Sequence, residues 1–296
     1  MNLPRPQPSR ELQSAWGARA LWTQLEPLLP GLTVEVLARS ASTNSELLAR
    51  ARGAEGGPRG GRRSADTQPC LLVAEHQTAG RGRMGRGWRS ARGDSLTFSL
   101  ALALAPRDWS GLSLAVGVAV AEALQPAAGP LRLALKWPND LWLVDAANGA
   151  AGGRKLGGIL IETLAAGERR LAVIGIGLNI APLTGPLPAE LQGHWACLHE
   201  LDPRAAAEST LARLALPLVQ AIKVFERQGF AAVVERFAAL DALRGQAVVT
   251  SDPRAANGTA CGVDGQGGLR VDTAHGPRIV SGGEVTVRPA SPVLAQ

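Results

Sequence analysis

A glycine- and arginine-rich run, Gly80-Arg81-Gly82-Arg83-Met84-Gly85-Arg86-Gly87-Trp88, lies between two apolar segments, Cys70–Ala74 and Leu96–Leu100. Strand-like sequence on both sides makes the run a connection between strands, and that constrains the fold. Its glycines let a backbone approach a ligand closely. Its arginines are forked, permanently charged donors suited to phosphate and carboxylate. Gly80, Gly82 and Gly85 also carry the spacing of a dinucleotide-binding turn, but that turn opens a helix and is followed about 20 residues on by an acidic residue. Here Arg89–Asp94 leads instead into Leu96-Thr97-Phe98-Ser99-Leu100, and no amphipathic helix begins. The Rossmann arrangement fails on context. A phosphate-bearing ligand held under a mobile loop is the expectation.

At 296 residues, 46% hydrophobic and 19% charged, the chain has core material for one large domain and a small one. The net charge of +6 is modest, and much of the basic character clusters at Arg59, Arg62, Arg63, Arg81, Arg83, Arg86, Arg89 and Arg92. Without interleaved aromatics or a nucleic-acid module, that cluster points to an anionic small ligand. Cys70, Cys197 and Cys261 are odd in number and widely spaced, so no disulfide framework is implied. His194, Cys197 and His199 lack a fourth ligand at zinc-like spacing, which favours structural roles. No apolar signal segment follows Met1. The apolar stretch Leu112–Leu124 is interrupted by Ser113 and Glu122 and is too short to span a bilayer. A reduced, cytoplasmic protein without membrane contact is expected.

Helical spacing over 11–29 ends at Pro30-Gly31, and Leu32–Leu37 alternates like a strand. A helix is expected from near Glu46, capped by Ser42, Thr43 or Asn44. Gly53–Gln68 reads as a surface loop, followed by strands near 70–76 and 95–104, a helix over 110–125 and a strand at Leu131–Lys136. Asp145–Gly153 reads as a hairpin loop, with strands at 155–163 and 170–180 and helices at 205–228 and 230–240. Beyond Gly245 come short β runs separated by glycines, the pattern of a small barrel. The expected organisation is a helical extension over 1–30, a catalytic domain over 31–241 and a small β domain over 242–296.

Five motifs stand in order: Ser42-Thr43-Asn44; Glu75-His76-Gln77 before Gly80-Arg81-Gly82-Arg83; Lys136-Trp137-Pro138-Asn139-Asp140-Leu141; Lys155-Leu156-Gly157-Gly158-Ile159-Leu160; and Gly175-Ile176-Gly177-Leu178-Asn179. Together they resemble the biotin–protein ligases, strongly over roughly 40–180 and more loosely over the C-terminal β domain. The resemblance implies an α/β (α+β) catalytic domain like that of class II aminoacyl-tRNA synthetases, with a C-terminal SH3-like β-barrel. It implies an ATP-dependent ligase that forms biotinyl-5′-AMP and transfers biotin to a lysine of biotin carboxyl carrier protein. The substrates would be biotin and ATP with Mg²⁺, in a monomer or weak homodimer. Repressor-type members carry a DNA-binding domain ahead of the catalytic one. The segment before Ser42 is too short for an independent domain, so no nucleic-acid partner is expected. A lipoate–protein ligase of the same fold is the nearest rival, and a non-catalytic nucleic-acid binder the rival from another class.

Adenylation brings a carboxylate and a phosphate together, so cations must be aimed at the developing charge. The resemblance puts Lys155 at the biotin carboxyl and α-phosphate, and Arg81 and Arg83 in the loop that closes over biotin and adenylate. Lys155 and Arg83 are the catalytic candidates. Ser42, Thr43, Asn44 and Gln77 offer short polar groups to the ureido head, although helix capping would also explain Ser42 or Thr43. Gly80, Gly82 and Gly157 would admit the ligand closely. Trp88 would stack on adenine. Lys136, Asn139 and Asp140 would serve the nucleotide, Asp140 with Mg²⁺, while Pro-Asn-Asp is also a plain turn sequence. By the same resemblance Asn179 would approach the ATP phosphates or metal, and Arg288 would reach back toward the nucleotide from the C-terminal domain. His76 stands where the family often has an aromatic residue, and Met84 where it often has a basic one.

Overall fold

The computed structural model describes residues 9–55, 67–126, 128–145, 149–166, 169–185, 187–283 and 285–290. Along the chain run helices α1 (Arg10–Ala15) and α2 (Ala18–Leu25), strand β1 (Thr33–Ser40), helix α3 (Thr43–Glu55) and strand β2 (Cys70–Gln77). A hairpin of β3 (Gly80–Arg81) and β4 (Gly87–Trp88) precedes β5 (Ser95–Leu104). Then come helix α4 (Leu112–Leu124) and strands β6 (Leu133–Lys136), β7 (Asp140–Asp145), β8 (Gly149–Ala166) and β9 (Arg169–Asn179). Helices α5 (Ala207–Gln228) and α6 (Val234–Leu240) lead to β10 (Ala247–Thr250), β11 (Asn257–Val263), β12 (Leu269–Thr273), β13 (Gly276–Val280) and β14 (Val287–Pro289).

The chain forms two compact units, with β8 running from one into the other. The first comprises Met1–Ala105, Gly157–Ala189 and Cys197–Gln220. Its sheet runs β1-β2-β5-β9-β8. β1 and β2 are parallel and the remaining pairs antiparallel, which makes the sheet mixed. The β5–β9 ladder extends from Ser95 opposite Asn179 to Leu104 opposite Arg170. Along it Leu96, Phe98, Leu100 and Leu102 share one face with Ile174, Ile176 and Leu178, all nearly fully buried. The opposite face carries Leu171 and Val173, on which Leu47, Leu48 and Ala51 of α3 pack. Period 2 in the strands and i, i+3/i+4 spacing in α3 are the sequence causes of that contact.

Several expected boundaries move. The helical stretch over 11–29 is two helices, because Gly17 takes φ +60° and ends the first one. Helix α3 begins at Thr43, with the Ser42 hydroxyl accepting from Ser45 N at 3.4 Å and the Ser42 carbonyl from Glu46 N at 2.9 Å. It continues through Gly53 to Glu55, so only part of the expected Gly53–Gln68 loop remains, and 56–66 lie outside the described residues. Strand β8 starts at Gly149 rather than 155, which shortens the expected Asp145–Gly153 loop to 146–148, also outside them. Asp140–Asp145, unassigned from sequence, is a strand paired with β6.

The second unit comprises Pro106–Leu156, Glu190–Ala196 and Ala221–Gln296. Helix α4 is apolar almost all round and buried, packed on β6 and α6. Arg236 on α6 pairs with Glu122 on α4. The five C-terminal strands form an antiparallel sheet ordered β13-β12-β11-β10-β14. The fully buried Trp137 donates its indole N–H to Gly267 O at 2.9 Å, tying the β6–β7 turn to that sheet. Among the described residues no helix is long and apolar enough to cross a membrane.

Asp241 ends α6 beside β6, where Ala242 N donates to Leu135 O at 3.0 Å. Its Oδ1 accepts from Leu243 N at 2.9 Å, while Oδ2 is buried without a partner among the described residues. Burial holds this carboxyl above the usual carboxylate range. A raised carboxyl pKa means that folding is favoured with the proton on and opposed once pH climbs past the folded value. Asp241→Asn is therefore expected to raise the melting temperature at pH 7 and to give progressively less gain as pH falls into the acid range. Equal shifts at both pH values, or a lower melting temperature at pH 7, would contradict this.

Candidate active site

The first unit gathers a continuous polar chain under the start of α3. Thr43 N donates to Gln77 Oε1 at 2.7 Å, and Thr43 Oγ1 lies 2.6 Å from Ser99 Oγ. Ser99 Oγ donates to Asn44 Oδ1 at 2.6 Å, and Asn44 Nδ2 donates to Leu160 O at 3.2 Å and Glu162 Oε2 at 3.0 Å. The other Glu162 oxygen accepts from Arg81 at 2.6 Å, and Arg81 also donates to Ser45 Oγ at 2.9 Å. Ser42, Thr43, Asn44 and Gln77 are all buried. The sequence-derived polar set thus comes together, with Arg81 of the glycine-arginine run attached to it.

That run is a tight hairpin. Gly80 pairs with Trp88 and Arg81 with Gly87, and Gly82 N donates to Arg86 O at 2.7 Å. At its tip Met84 takes φ +56°, a left-handed conformation that is strained for a residue with a side chain. Arg83 is half-buried, whereas Arg86 is exposed. The Trp88 ring lies against β9 at Gly177, where an added Cβ would stand 2.5 Å from Trp88 Cε2. Its indole Nε1 is buried and has no partner among the described residues. Asn44 lies over Gly175 in the same way. Ile174-Gly175-Ile176-Gly177-Leu178 therefore alternates isoleucine and leucine on the core face with bare backbone on the site face. Asn179, buried, ends the strand opposite Ser95.

Gly157 belongs to the other face. It is opposite Leu178, and a Cβ there would stand 2.5 Å from both Gly177 O and Leu178 Cδ2. Packing accounts for this glycine. Its neighbour Gly158, opposite Gly177, is the one on the site face.

In the second unit the charged candidates meet around Asp140. Lys155 Nζ donates to Asp140 Oδ1 at 2.7 Å, and Lys136 Nζ lies 3.8 Å from Oδ2 and 5.6 Å over the Trp142 ring. Trp137-Pro138-Asn139 is the turn that reverses β6 into β7, in keeping with the plain turn sequence. The backbone of Lys155 is clamped, its N–H donating to His194 O at 2.7 Å and its carbonyl accepting from Ala196 N at 2.9 Å. A lysine held at both backbone and ammonium is more than a strand-edge residue. Arg288 is exposed on β14, opposite Val249 of β10.

Residues 61–179 match the model of the biotin/lipoate A/B protein ligase family. The biotin–[acetyl-CoA-carboxylase] ligase of Mycobacterium tuberculosis is 32% identical over 276 residues, 91% of this chain and 91% of that one. The chain belongs to the biotin protein ligase family. The bifunctional ligase/repressor BirA of Escherichia coli is 34% identical over 266 residues, covering 88% of this chain and 76% of that one. Among solved structures, biotin protein ligase from Aquifex aeolicus in complex with biotin and ATP has a TM-score of 0.66 at 25% identity, covering 87% of this chain and 99% of that one.

Sequence reasoning missed two members of this ligase's polar chain, Ser99 and Glu162. Ser99 follows Thr97 at alternate positions of an apolar strand, which reads as a solvent-facing edge, yet both are fully buried beneath the site. Glu162 was the available signal, a lone acid within Ile159-Leu160-Ile161-Glu162-Thr163. His199, Cys197 and His194 do not form a metal cluster. His199 Nε2 bonds Ala205 O at 2.9 Å, and Cys197 N donates to the Glu200 carboxylate at 3.1 Å as it opens a turn. Burial pushes the Cys70 thiol up to about 11, so it stays protonated and supplies no thiolate nucleophile.

The two glycines separate by experiment. Gly157→Ala overpacks the core face and is expected to cost about 1–3 kcal/mol of stability. Gly177→Ala displaces Trp88 and should depress ligand binding by about tenfold or more, with the smaller loss in melting temperature. Thermal melts and biotin and ATP titrations of both variants check this. A Gly157→Ala protein as stable as wild type would remove the packing assignment.

Proposed function

We propose how this ATP-dependent biotin ligase divides its work among its residues. Biotin is joined to ATP as biotinyl-5′-AMP, a carboxylate oxygen bonding to the α-phosphorus as pyrophosphate leaves. A lysine ε-amine of a biotin carboxyl carrier protein then attacks the acyl carbon, and AMP leaves. Full-length similarity to biotin ligases carries this reading, with 91% of the chain aligned to one of them. The buried hydrogen-bonded set Thr43, Asn44, Ser99 and Gln77 supports it, since a neutral ureido head needs such groups.

In this scheme Thr43 and Gln77 hold the ureido head, and Arg81 and Arg83 the carboxyl and phosphoryl end. Trp88, seated on Gly177, provides a flat apolar surface for adenine, with Asn139, Asn179, Lys136 and Arg288 serving the nucleotide. Lys155 neutralises the charge that grows as carboxylate and α-phosphate meet. Asp140 and the 194–196 clamp aim its ammonium, which removes reorganisation from the reacting step. Mg²⁺ is the usual companion of ATP, and most of its ligands are then phosphate oxygens and water. Asp140 is engaged by two ammonium groups, and no group of three His, Cys, Asp or Glu comes together among the described residues. That donor set does not make a protein cage for Mg²⁺, and no role in the steps above depends on one.

Biotin-dependent ATP–pyrophosphate exchange tests the reading. Wild-type protein should show it with biotin and not with lipoic acid, and no exchange with biotin would overturn the assignment. Lys155→Ala is expected to cut adenylate formation by about a hundredfold or more with the fold retained, as loss of one electrostatic donor does. Asp140→Asn should cost less, because it loosens the ammonium without removing it. Near-normal exchange in the Lys155→Ala protein would take Lys155 out of the mechanism.

A further inference from the structure

The polar chain of the first unit has a direction, and its proton count fixes it. Asn44 turns one edge of its amide toward Leu160 O and Glu162 Oε2, at 3.2 and 3.0 Å. A carbonyl and a carboxylate only accept, so that edge is the NH₂ group and Oδ1 faces Ser99. Ser99 has one hydroxyl proton, and Asn44 Oδ1 takes it at 2.6 Å. Ser99 Oγ must then accept the Thr43 hydroxyl proton across their 2.6 Å contact. Thr43 Oγ1 also stands 3.2 Å from Gln77 Oε1, but its one proton goes to the shorter Ser99 contact, so Oγ1 is left as an acceptor with no proton to give. Gln77 Oε1 is served by Thr43 N–H at 2.7 Å. Gln77 Nε2 makes no hydrogen bond among the described residues, so both its N–H groups remain available as donors.

We propose that Glu162 is a positioning residue that sets the hydrogen-bond polarity of the head-group subsite through Asn44, Ser99 and Thr43. This rests on the assignment of that subsite to biotin. An acceptor at Thr43 and a donor at Gln77 match a cyclic urea, which offers N–H and C=O on adjacent atoms. The carboxylate does this from the far end of the chain. Because neither it nor Leu160 O can donate, the Asn44 amide cannot turn over, and the two hydroxyl protons cannot reverse. Arg81, donating to the other Glu162 oxygen at 2.6 Å, links the same carboxylate to the glycine-arginine hairpin. An amide at position 162 would take away the charged half of the constraint, since it donates as readily as it accepts, and leave Leu160 O as the one acceptor that still opposes turnover.

The test uses the full chain with biotin and the two cyclic carbamate analogues in which oxygen replaces one ureido N–H. Wild type should reject the analogue whose oxygen faces Thr43, acceptor against acceptor. In Glu162→Gln the turned Asn44 amide loses its repulsion by a carboxylate, and in that arrangement Thr43 regains a proton to give. The preference for biotin over that analogue, as a ratio of kcat/KM in pyrophosphate exchange, is expected to fall about tenfold, the size of one mismatched hydrogen bond. KM for biotin should rise more than kcat falls. Ser99→Ala interrupts the chain without touching Arg81 and should lower the preference equally, which keeps the test open if Glu162→Gln folds poorly. An unchanged preference in both variants, with biotin and analogue losing alike, would make Glu162 a scaffold residue only. A change in Glu162→Gln alone would show that it acts through Arg81, and would also overturn the proposal. Absence of biotin-dependent exchange in wild type is a separate result, which refutes the biotin assignment itself.

Discussion

The β5–β9 ladder is the constraint on which the site depends. Antiparallel pairing from Ser95–Asn179 to Leu104–Arg170 puts every second residue of both strands on each face. One face is large and aliphatic throughout and holds the first unit's core. The other changes character along its length. Leu171 and Val173 carry α3, and then Gly175 and Gly177 offer no side chain at all. Asn44, on the first turn of α3, and Trp88, at the end of the glycine-arginine hairpin, sit directly on that bare backbone. The helix is anchored by the apolar half of a strand and delivers a polar residue to its glycine half. A one-residue slip would exchange the faces and bury glycines in the core.

Electrostatics divides the remaining work. Asp140 is flanked by two ammonium groups, with Lys155 closer than Lys136. A lone lysine on a strand would sample many rotamers, and fixing it at the moment of reaction would cost about 1.5–2 kcal/mol of side-chain entropy. The ion pair and the backbone clamp at His194 and Ala196 meet that cost during folding. The pair is half exposed on the lysine side, so its contribution to stability is small. Orientation is what it supplies.

Much of this was legible in the sequence, for identifiable reasons. Apolar runs near 70–76, 95–104 and 170–180 announced strands, and the glycine-arginine run between two of them announced a loop rather than a nucleotide-binding helix start. The five motifs named the family before any geometry was known. Boundaries failed where local and tertiary signals compete. Gly17 splits a helix whose apolar spacing runs on past it. Gly53 stays helical although its neighbours are loop-like, and β8 begins six residues before the motif at Lys155 that drew attention to it. Gly157 read as a ligand-facing glycine beside Lys155, yet the register turns it to the core and turns Gly158 to the site. Face assignment in a strand needs the register, and sequence spacing alone does not give it.

Ser99 and Glu162 were illegible for a deeper reason. A serine in an alternating strand signals solvent, and the sequence holds no mark that α3 will cover it. Burying neutral polar groups is tolerable only when every hydrogen bond is made. Ser99 is fully buried, Thr43 and Asn44 nearly so, and each spends its proton or amide on the next member of the chain. The cost of leaving any member unsatisfied is what makes the chain rigid, and rigidity lets a neutral head group be read by two atoms. The charged groups follow the opposite logic. Lys155 pairs with Asp140 at 2.7 Å and keeps much of its side chain in solvent, so water shares in solvating its ammonium. A neutral ring can be recognised by a few polar atoms that a buried hydrogen-bonded chain holds in place, whereas two anions brought together require cations to offset their repulsion.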